Sequence, residues 1–450
     1  MRWVAVGLWA CAAGCAAPPD TLRGGQPRAR RGLSVPLPAY PVEPGAVAVA
    51  GISAGGFLAV QLHVAYSATF QRGAAVFAGG PYDCAEGGAL AAVTTCAQGL
   101  PQAPDVAALI QRTDARAASG DIDPTAHLAG EPVWLWSGTL DTTVRPAVMD
   151  ALFAYYQHYV TAAAVTYEHT TAAGHGWVSP SGPNLCAATV TPFVNDCPPA
   201  DPEAAFLGQS FGPLSPRNSG ALAGSFQAFD QNEFFDDQDA PAHGLADDGY
   251  LYVPSSCVGG QVCRVLLALH GCLQARGQVG DAFLQTSGLA EWADGNRLLL
   301  LFPQGAPSAG NPNACWDWWG YDDPSYATKA GRQMLALKRM VDRVSSGATD
   351  AGQDGGAATA DGGSADGGIA DAGPAGDAGA ADDGGSPVDS GSSGLDESDA
   401  GLGSGGPVPG CGCGLTSEGL PWATFLSALP VIARVRRHRA PEARLRRGSH

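Results

Sequence analysis

Positive charge is scarce in this chain, because 25 Lys and Arg stand against 43 Asp and Glu and the formal net charge is -18 at pH 7. Charged residues of both signs make up only 15% of the sequence. The acidic excess is concentrated in residues 345–410, which contain twelve Asp or Glu and no Lys or Arg. Since a protein that binds nucleic acid needs a basic face, the composition excludes nucleic acid as a partner.

Two further features are lacking. The apolar stretch near the C-terminus, residues 420–433, is interrupted by Pro421 and Pro430, and it is short for a membrane-spanning helix, which needs about 20 apolar residues. The body of the chain has no C-x-x-C motif and no Cys/His pairing with the spacing of zinc ligands. We therefore expect no metal and no cofactor.

Cysteine itself is plentiful, with twelve residues, of which eight lie in the body of the chain. An even number of cysteines in an exported protein indicates disulfides, although eight cysteines allow 105 connectivities. Short spacings favour three pairs and leave a fourth: Cys84–Cys96, Cys186–Cys197, Cys257–Cys263 and Cys272–Cys315.

The N-terminal segment has the composition of an export signal. Residues 1–17 combine an Arg, an apolar run and small residues, as secretory signals do. The residues AAGC at 12–15 resemble a bacterial lipoprotein cleavage box, in which Cys15 would be lipidated. The alternative is ordinary cleavage near Ala16 or Ala17. We expect an exported protein, either extracellular or anchored at the outer surface, with residues 18–44 as an extended lead-in.

The C-terminal part changes character. Residues 347–410 are dominated by Gly, Ala, Asp and Ser, which predicts a disordered linker that cannot bury enough apolar surface to order itself. Residues 411–450 contain Cys411-Gly412-Cys413, the apolar stretch and seven arginines. This order resembles the C-terminal sorting tail of myxobacterial surface proteins; the alternative is a basic end with no anchoring role. Membrane or cell-surface attachment would use Cys15 or this tail.

Residues 45–346 alternate strand and helix patterns, which predicts an α/β domain with a mainly parallel sheet and flanking helices. The runs RVLLAL (264–269) and RLLLLF (297–302) are typical of buried parallel strands. Further strands are predicted within 73–80, 132–137 and 163–169, and helices within 148–160 and 328–344. Residues 179–249 are predicted to be rich in loops and to cover one end of the site.

A nucleophile motif lies near the start of this domain. The sequence Gly51-Ile52-Ser53-Ala54-Gly55 follows a short apolar strand and precedes an apolar helical run. It fits the G-x-S-x-G elbow, in which a sharp turn exposes the serine oxygen and small neighbours let the strand and the helix approach each other. A Gly-rich turn is the alternative. We predict Ser53 as a catalytic nucleophile.

An acid and a base follow Ser53 in the order that α/β-hydrolases use. Asp141 lies in a turn just past a predicted buried strand, where it is the predicted acid; the alternative is a residue that caps the following helix. His175 lies between two glycines after the next strand and is the predicted base. His169, at the end of that strand, is interpreted as structural.

The predicted oxyanion hole combines the backbone N–H of Ala54 with that of Cys272, because His270-Gly271 follows a strand and forms an HG motif. His270 is interpreted as a positioning residue. In an ordinary α/β-hydrolase the HG loop precedes the nucleophile elbow, whereas here it follows the elbow by some 220 residues. The simplest interpretation is a circular permutation, with the helix predicted at 328–344 beside the strand at 47–51.

Five motifs together resemble the circularly permuted poly(3-hydroxybutyrate) depolymerases. They are GISAGGFLAVQLHVAYS (51–67), SGTLDTTV (137–144), GHGW (174–177), LALHGC (267–272) and CWDWWGY (315–321). These belong to a wider group of polyester depolymerases and feruloyl or acetyl esterases. The resemblance covers residues 46–344. It implies an α/β-hydrolase fold, an acyl-serine mechanism with Ser53, Asp141 and His175, and Ala54 and Cys272 as oxyanion donors.

The resemblance also implies substrate contacts from Trp316, Trp318 and Trp319, which we expect to form an exposed apolar platform for a polyester or its oligomers; the alternative is that they pack under the neighbouring helix. Many extracellular members carry a polymer-binding module, and in this sequence the linker and the basic tail stand in that place. The chain is expected to act as a monomer. Two other functions stay open: a feruloyl or acetyl-xylan-type carbohydrate esterase, and a non-catalytic surface adhesin on a hydrolase scaffold.

Overall fold

The computed structural model of the protein describes residues 35–347. Four predicted segments lie wholly or mostly outside these residues: the signal (1–17), most of the lead-in (18–44), the linker (347–410) beyond its first residue, and the sorting tail (411–450). Within the described range, no helix is long and apolar enough to span a membrane.

The strands form two sheets and are, in chain order, β1 (Val42–Ile52), β2 (Ala74–Phe77), β3 (Val133–Trp136), β4 (Val165–Glu168), β5 (Trp177–Val178), β6 (Asn184–Leu185), β7 (Val194–Asp196), β8 (Ser225–Asp230), β9 (Asp248–Val253), β10 (Cys263–Leu269) and β11 (Leu298–Phe302). The larger sheet has the order β4-β3-β2-β1-β10-β11-β9-β8, and the smaller one β5-β7-β6. From β4 to β11 the strands of the larger sheet run parallel, and β9 and β8 continue it antiparallel. The predicted mainly parallel α/β fold is confirmed.

The helices are α1 (Ala54–Ala65), α2 (Ala89–Ala91), α3 (Val106–Ser119), α4 (Pro146–Tyr159), α5 (Pro202–Phe211), α6 (Arg276–Val279), α7 (Ala282–Thr286), α8 (Leu289–Asp294) and α9 (Arg332–Val344). A π-helix, Ala92–Gln98, directly follows α2, and short 3₁₀ helices cover Thr125–Gly130, Ala162–Ala164, Asn232–Phe234, Ala240–His243 and Ser255–Cys257. Helix α1 is buried along its whole length, because its residues are apolar nearly all round.

Strand β1 lies in the middle of the larger sheet and carries the serine turn at its end. Its Gly51 pairs with Leu269 of β10 on one side and with Val76 of β2 on the other. All three strands end in buried apolar residues, as strands covered on both faces should. The register therefore brings the ends of β1 and β10 together, although the two strands are far apart in the sequence.

The region predicted to be rich in loops, residues 179–249, contains more regular structure than expected. It holds α5 and β8, and β9 begins at Asp248. Strand β8 has the sequence SFQAFD, most of which is partly or fully exposed, because it forms the edge of the sheet and pairs only with β9. An edge strand needs no continuous apolar run, so its sequence gives a weak signal.

All eight cysteines of the body form disulfides, and the predicted pairing is confirmed: Cys84–Cys96, Cys186–Cys197, Cys257–Cys263 and Cys272–Cys315. The last pair closes the longest loop, with a sequence separation of 43. In the chain-entropy model, closing a loop of that length stabilises the folded state by roughly 4 kcal/mol.

The chain enters β1 beside the place where it leaves α9. The backbone N–H of Tyr40 donates to the carbonyl of Val344 at 2.8 Å, and Pro41 forms an antiparallel bridge with Ser346. The two ends of the described α/β body are therefore adjacent.

Gly208 lies in the interior of α5 and allows the helix assignment to be tested. A Cβ built on Gly208 would meet nothing within 4 Å, so Gly208→Ala is expected to stabilise the protein by about 1 kcal/mol, because alanine loses less backbone entropy in a helix. Thermal denaturation measures the effect. The matched control is Gly212→Ala at the end of the same helix, which has equally open space but a φ of +81°; it should lower the melting temperature. A fall with Gly208→Ala would contradict the helix assignment.

Candidate active site

The turn after β1 holds Ser53 in a strained conformation. Its φ of 56° and ψ of -124° lie outside the helical region, and left-handed φ values are unusual for a residue with a side chain. A Cβ on Gly51 would overlap the carbonyl oxygen of Gly55, and one on Gly56 would lie 2.9 Å from the carbonyl oxygen of Phe77. Glycine is thus required on both sides of the turn, and Ser53 is partly exposed between buried neighbours. This is the geometry of a nucleophile elbow.

The HG loop after β10 lies directly against this turn. A Cβ on Gly55 would overlap the carbonyl oxygen of Leu269 and lie 2.5 Å from that of His270. A Cβ on Gly271 would lie 3.2 Å from the Cβ of Ser53. The structure therefore places the loop that carries Cys272 beside the predicted nucleophile.

His270 supports the HG loop and has no free ring nitrogen. Its Nδ1 bonds to the carbonyl of Gly271 at 2.7 Å, and its Nε2 accepts from the backbone N–H of Gly305 at 2.9 Å. Complete burial lowers the pKa of His270 to about 4, so the ring is neutral at pH 7. These contacts assign Nδ1 as the protonated nitrogen and support the positioning role predicted from the sequence.

The predicted acid and base form a close pair. Nδ1 of His175 lies 2.7 Å from Oδ2 of Asp141, and both residues are buried. The other carboxylate oxygen, Oδ1, accepts from the backbone N–H groups of Thr143 and Val144 at 2.8 and 2.9 Å. Asp141 therefore organises its own turn and also faces the imidazole of His175. It does not cap α4, the alternative drawn from the sequence, because that helix begins at Pro146 with Arg145 as its N-cap residue.

The loops that carry these two residues are bonded to each other. The backbone N–H of Leu140 donates to the carbonyl of Ala173 at 3.1 Å. The backbone N–H of Gly174 donates to the carbonyl of Cys186 at 2.8 Å. The backbone N–H of His175 donates to Oγ1 of Thr189. The disulfide of Cys186 then fixes the segment that follows the histidine.

All these loops leave the same edge of the sheet. Ser53 follows β1, Asp141 follows β3, His175 follows β4 and the HG loop follows β10. Because parallel strands present their carboxyl ends at one edge, the loops converge there, as in other α/β sheets. Gln274 ties the HG loop to the segment just before β7, since its Oε1 accepts from the backbone N–H of Gly271 and its Nε2 donates to the carbonyls of residues 192 and 193.

The three tryptophans do not form the exposed platform that we expected. Trp316 is completely buried, and its Nε1 donates to the carbonyl of His270 at 2.8 Å. Trp318 is buried and stacks on Phe57 with ring centroids 3.9 Å apart. The expectation of exposure is wrong for both, because packing against the HG loop and α1 draws the loop inward. Trp319 packs edge-on against Trp318 and stays partly exposed.

Asp317, which our sequence interpretation missed, holds this aromatic loop in shape. Its carboxylate accepts from four consecutive backbone N–H groups, those of residues 320–323, at 2.7–3.2 Å. Burial nevertheless raises the pKa of Asp317 to about 6. The sequence does contain a pattern that indicates this role, because Asp317 lies three residues before Gly320, a spacing typical of turns that an Asp side chain stabilises.

No cluster of His, Cys, Asp or Glu within residues 35–347 could hold a metal ion. The arrangement offers a serine on a strained turn, a histidine paired with a buried carboxylate, and a loop next to the serine that can supply backbone N–H donors. Such a set can carry out nucleophilic acyl transfer.

Comparisons with known proteins point to one family, although no family model matches the chain. A poly(3-hydroxybutyrate) depolymerase of Delftia acidovorans is 43% identical over 317 residues, which cover 70% of this chain and 62% of that relative. The chain thus spans less than two thirds of that relative's length. A polyhydroxybutyrate depolymerase of Talaromyces funiculosus is 38% identical over 327 residues, covering 69% of this chain and 93% of the relative.

Solved structures also resemble this chain, and two of them are PHB depolymerases. One is a serine-to-alanine variant of a PHB depolymerase complexed with an R3HB trimer, with a TM-score of 0.64 and 34% identity. The other is the PHB depolymerase from Penicillium funiculosum, with a TM-score of 0.63 and 35% identity. Each match covers 69% of this chain and 99% of the solved chain. The chain therefore belongs to the poly(3-hydroxybutyrate) depolymerase family of ester hydrolases.

Proposed function

We propose that this protein is an exported serine esterase that hydrolyses poly(3-hydroxybutyrate), or PHB, through an acyl-serine intermediate. The observation that carries the proposal is the convergence at one sheet edge of the strained Ser53 turn, the HG loop and the His175–Asp141 pair. The names of the relatives supply the substrate class. The four disulfides and the signal-like N-terminus support export.

In the proposed first half-reaction, Oγ of Ser53 attacks the ester carbonyl while Nε2 of His175 takes the hydroxyl proton. Asp141 holds Nδ1–H and stabilises the imidazolium that forms. The tetrahedral intermediate collapses as the C–O bond breaks, and His175 gives its proton to the leaving alcohol. Water then attacks the acyl-serine with His175 again as base, which releases the acid and restores Ser53.

The proposed oxyanion donors are the backbone N–H groups of Ala54 and Cys272. Ala54 is the first residue of α1, and the first N–H groups of a helix have no partner within the helix. Cys272 is fixed by its disulfide to Cys315 and by the neighbouring HG loop. Each donor in such a site contributes roughly 3–4 kcal/mol of transition-state stabilisation.

For substrate contacts we propose Trp319, which keeps partial exposure and packs edge-on against the buried Trp318. The buried Trp316 is assigned to support of the HG loop through its bond to His270. The exposed Leu140, beside the acid, adds apolar surface at the same edge. A polyester of short apolar repeats fits such a lining better than a charged substrate.

We also propose that the fold is a circular permutation of the usual α/β-hydrolase order. Two observations support it. The HG loop comes from β10, which pairs with the nucleophile strand β1 but follows it in the chain. Val344 at the end of α9 is bonded to Tyr40 just before β1, so the chain could pass directly from α9 into β1.

Substrate preference is tested with the full chain, produced under oxidising conditions. We expect release of 3-hydroxybutyrate from amorphous PHB granules, and much slower hydrolysis of methyl ferulate and acetylated xylan. Activity on the aromatic or acetyl esters without granule hydrolysis would favour a carbohydrate esterase. Failure of a phosphonate probe to label Ser53 would favour a non-catalytic adhesin.

A further inference from the structure

The turn that carries Asp141 is held from outside the proposed triad by one amide side chain. Nε2 of Gln98 donates to the carbonyl oxygens of Thr142 and Thr143 at 2.9 and 2.8 Å. Its Oε1 accepts from Nε of Arg145 at 3.0 Å. Both polar atoms of the amide are therefore used at the turn between β3 and α4.

The two carbonyls belong to the peptide groups that bind Asp141. Both peptide units are planar and trans, so the carbonyl of Thr142 is rigidly coupled to the N–H of Thr143, and the carbonyl of Thr143 to the N–H of Val144. Those two N–H groups donate to Oδ1 of Asp141. Gln98 thus holds from one side the same two peptide planes that hold Asp141 from the other.

Gln98 is itself firmly placed. It is the last residue of the π-helix Ala92–Gln98, which the disulfide between Cys96 and Cys84 ties to the preceding loop. The N–H of Arg145 also donates to the carbonyl of Ala97 at 2.9 Å, so the helix end and the turn are joined through backbone as well. π-helical segments often occur at functional sites, and this one ends on the acid turn.

We infer that Gln98 is a positioning residue for catalysis, which acts through two peptide planes on Asp141 and through Asp141 on His175. This inference rests on the proposed function, because it requires Asp141 to act as the triad acid. Two donors at Oδ1 fix the rotation of the carboxylate, which leaves Oδ2 aimed at Nδ1 of His175. Hydrogen bonds in such a chain also polarise one another and strengthen the pair.

Gln98→Met tests the inference, since methionine keeps the length of the side chain and removes all three hydrogen bonds. We expect kcat on a soluble short-chain acyl ester to fall at least tenfold, with KM changed less than twofold. The downfield proton resonance of the His175–Asp141 hydrogen bond should shift or vanish. Gln98→Glu should lose more activity, because its carboxylate would face two carbonyl oxygens. Thr94→Val is the matched control, because it removes a side-chain bond of the same π-helix to Leu90.

Asp141→Asn separates this inference from the proposed function. If Asp141→Asn is inactive while Gln98→Met keeps kcat within twofold of the wild type and leaves the downfield resonance unchanged, the positioning role is overturned and the triad stands. Full activity of Asp141→Asn would overturn the proposed triad itself. If Gln98→Met and Thr94→Val showed the same fall in melting temperature and lost the same fraction of kcat, Gln98 would have a structural role only. That result would also overturn the inference.

Discussion

Ser53→Ala is expected to lower kcat for ester hydrolysis by roughly 10⁵- to 10⁶-fold, the loss typical of a missing nucleophile in serine hydrolases. The proposed oxyanion donors and the His175–Asp141 pair cannot form an acyl-enzyme without a nucleophilic oxygen. Residual hydrolysis would come from water attacking a bound, polarised ester. Granule hydrolysis and labelling by a fluorophosphonate should disappear together.

The variant should fold as the wild type does. Ser53 already carries a Cβ at a φ of 56°, so alanine adds no backbone strain, and the turn keeps the backbone bond from Ser53 N–H to the carbonyl of Phe77. Circular dichroism and thermal denaturation would show this directly. Ser119→Ala is a suitable control, since that serine bonds to Arg116 and Asp121 at the surface end of α3. Undiminished turnover in Ser53→Ala would refute the acyl-serine mechanism.

Local motifs made most of the fold and of the candidate site predictable. The glycines around Ser53 are required by backbone contacts within one turn, so the motif is readable without tertiary information. The buried central strands are continuous apolar runs, because both of their faces are covered. Short cysteine spacings gave the correct disulfides, since a short loop favours closure between its own ends.

The sequence could not predict features that depend on which distant surfaces meet. The tryptophan loop has no helical or strand periodicity, so burial of Trp316 follows only from its docking on His270. The edge strand β8 is mostly exposed and carries little apolar signal. The contact of Gln98 with the acid turn spans some 45 residues and uses an ordinary polar side chain, which no sequence pattern distinguishes from a surface glutamine.

The second prediction of a large loss of activity concerns the contact between the HG loop and the Ser53 turn. Gly55→Ala is expected to lower kcat/KM at least a hundredfold, because its Cβ would overlap the carbonyl oxygen of Leu269 and press on that of His270. These are backbone atoms at the end of β10, so the strain is relieved by moving the HG loop and the Ser53 turn apart. Displacing an oxyanion donor by about 1 Å costs on the order of 10²-fold in rate.

A graded series distinguishes this displacement from general loss of stability. Gly271→Ala places its Cβ 3.2 Å from that of Ser53, a milder contact that should lower kcat/KM roughly tenfold with little change in melting temperature. Gly277→Ala, in α6 after the same loop, meets nothing within 4 Å and should leave activity unchanged. Kinetics on a soluble ester, measured beside thermal denaturation, tests whether the loss of kcat/KM increases from Gly277→Ala through Gly271→Ala to Gly55→Ala. If Gly55→Ala folded and kept full activity, the HG loop would not supply the oxyanion donor, and Cys272 would lose its proposed role.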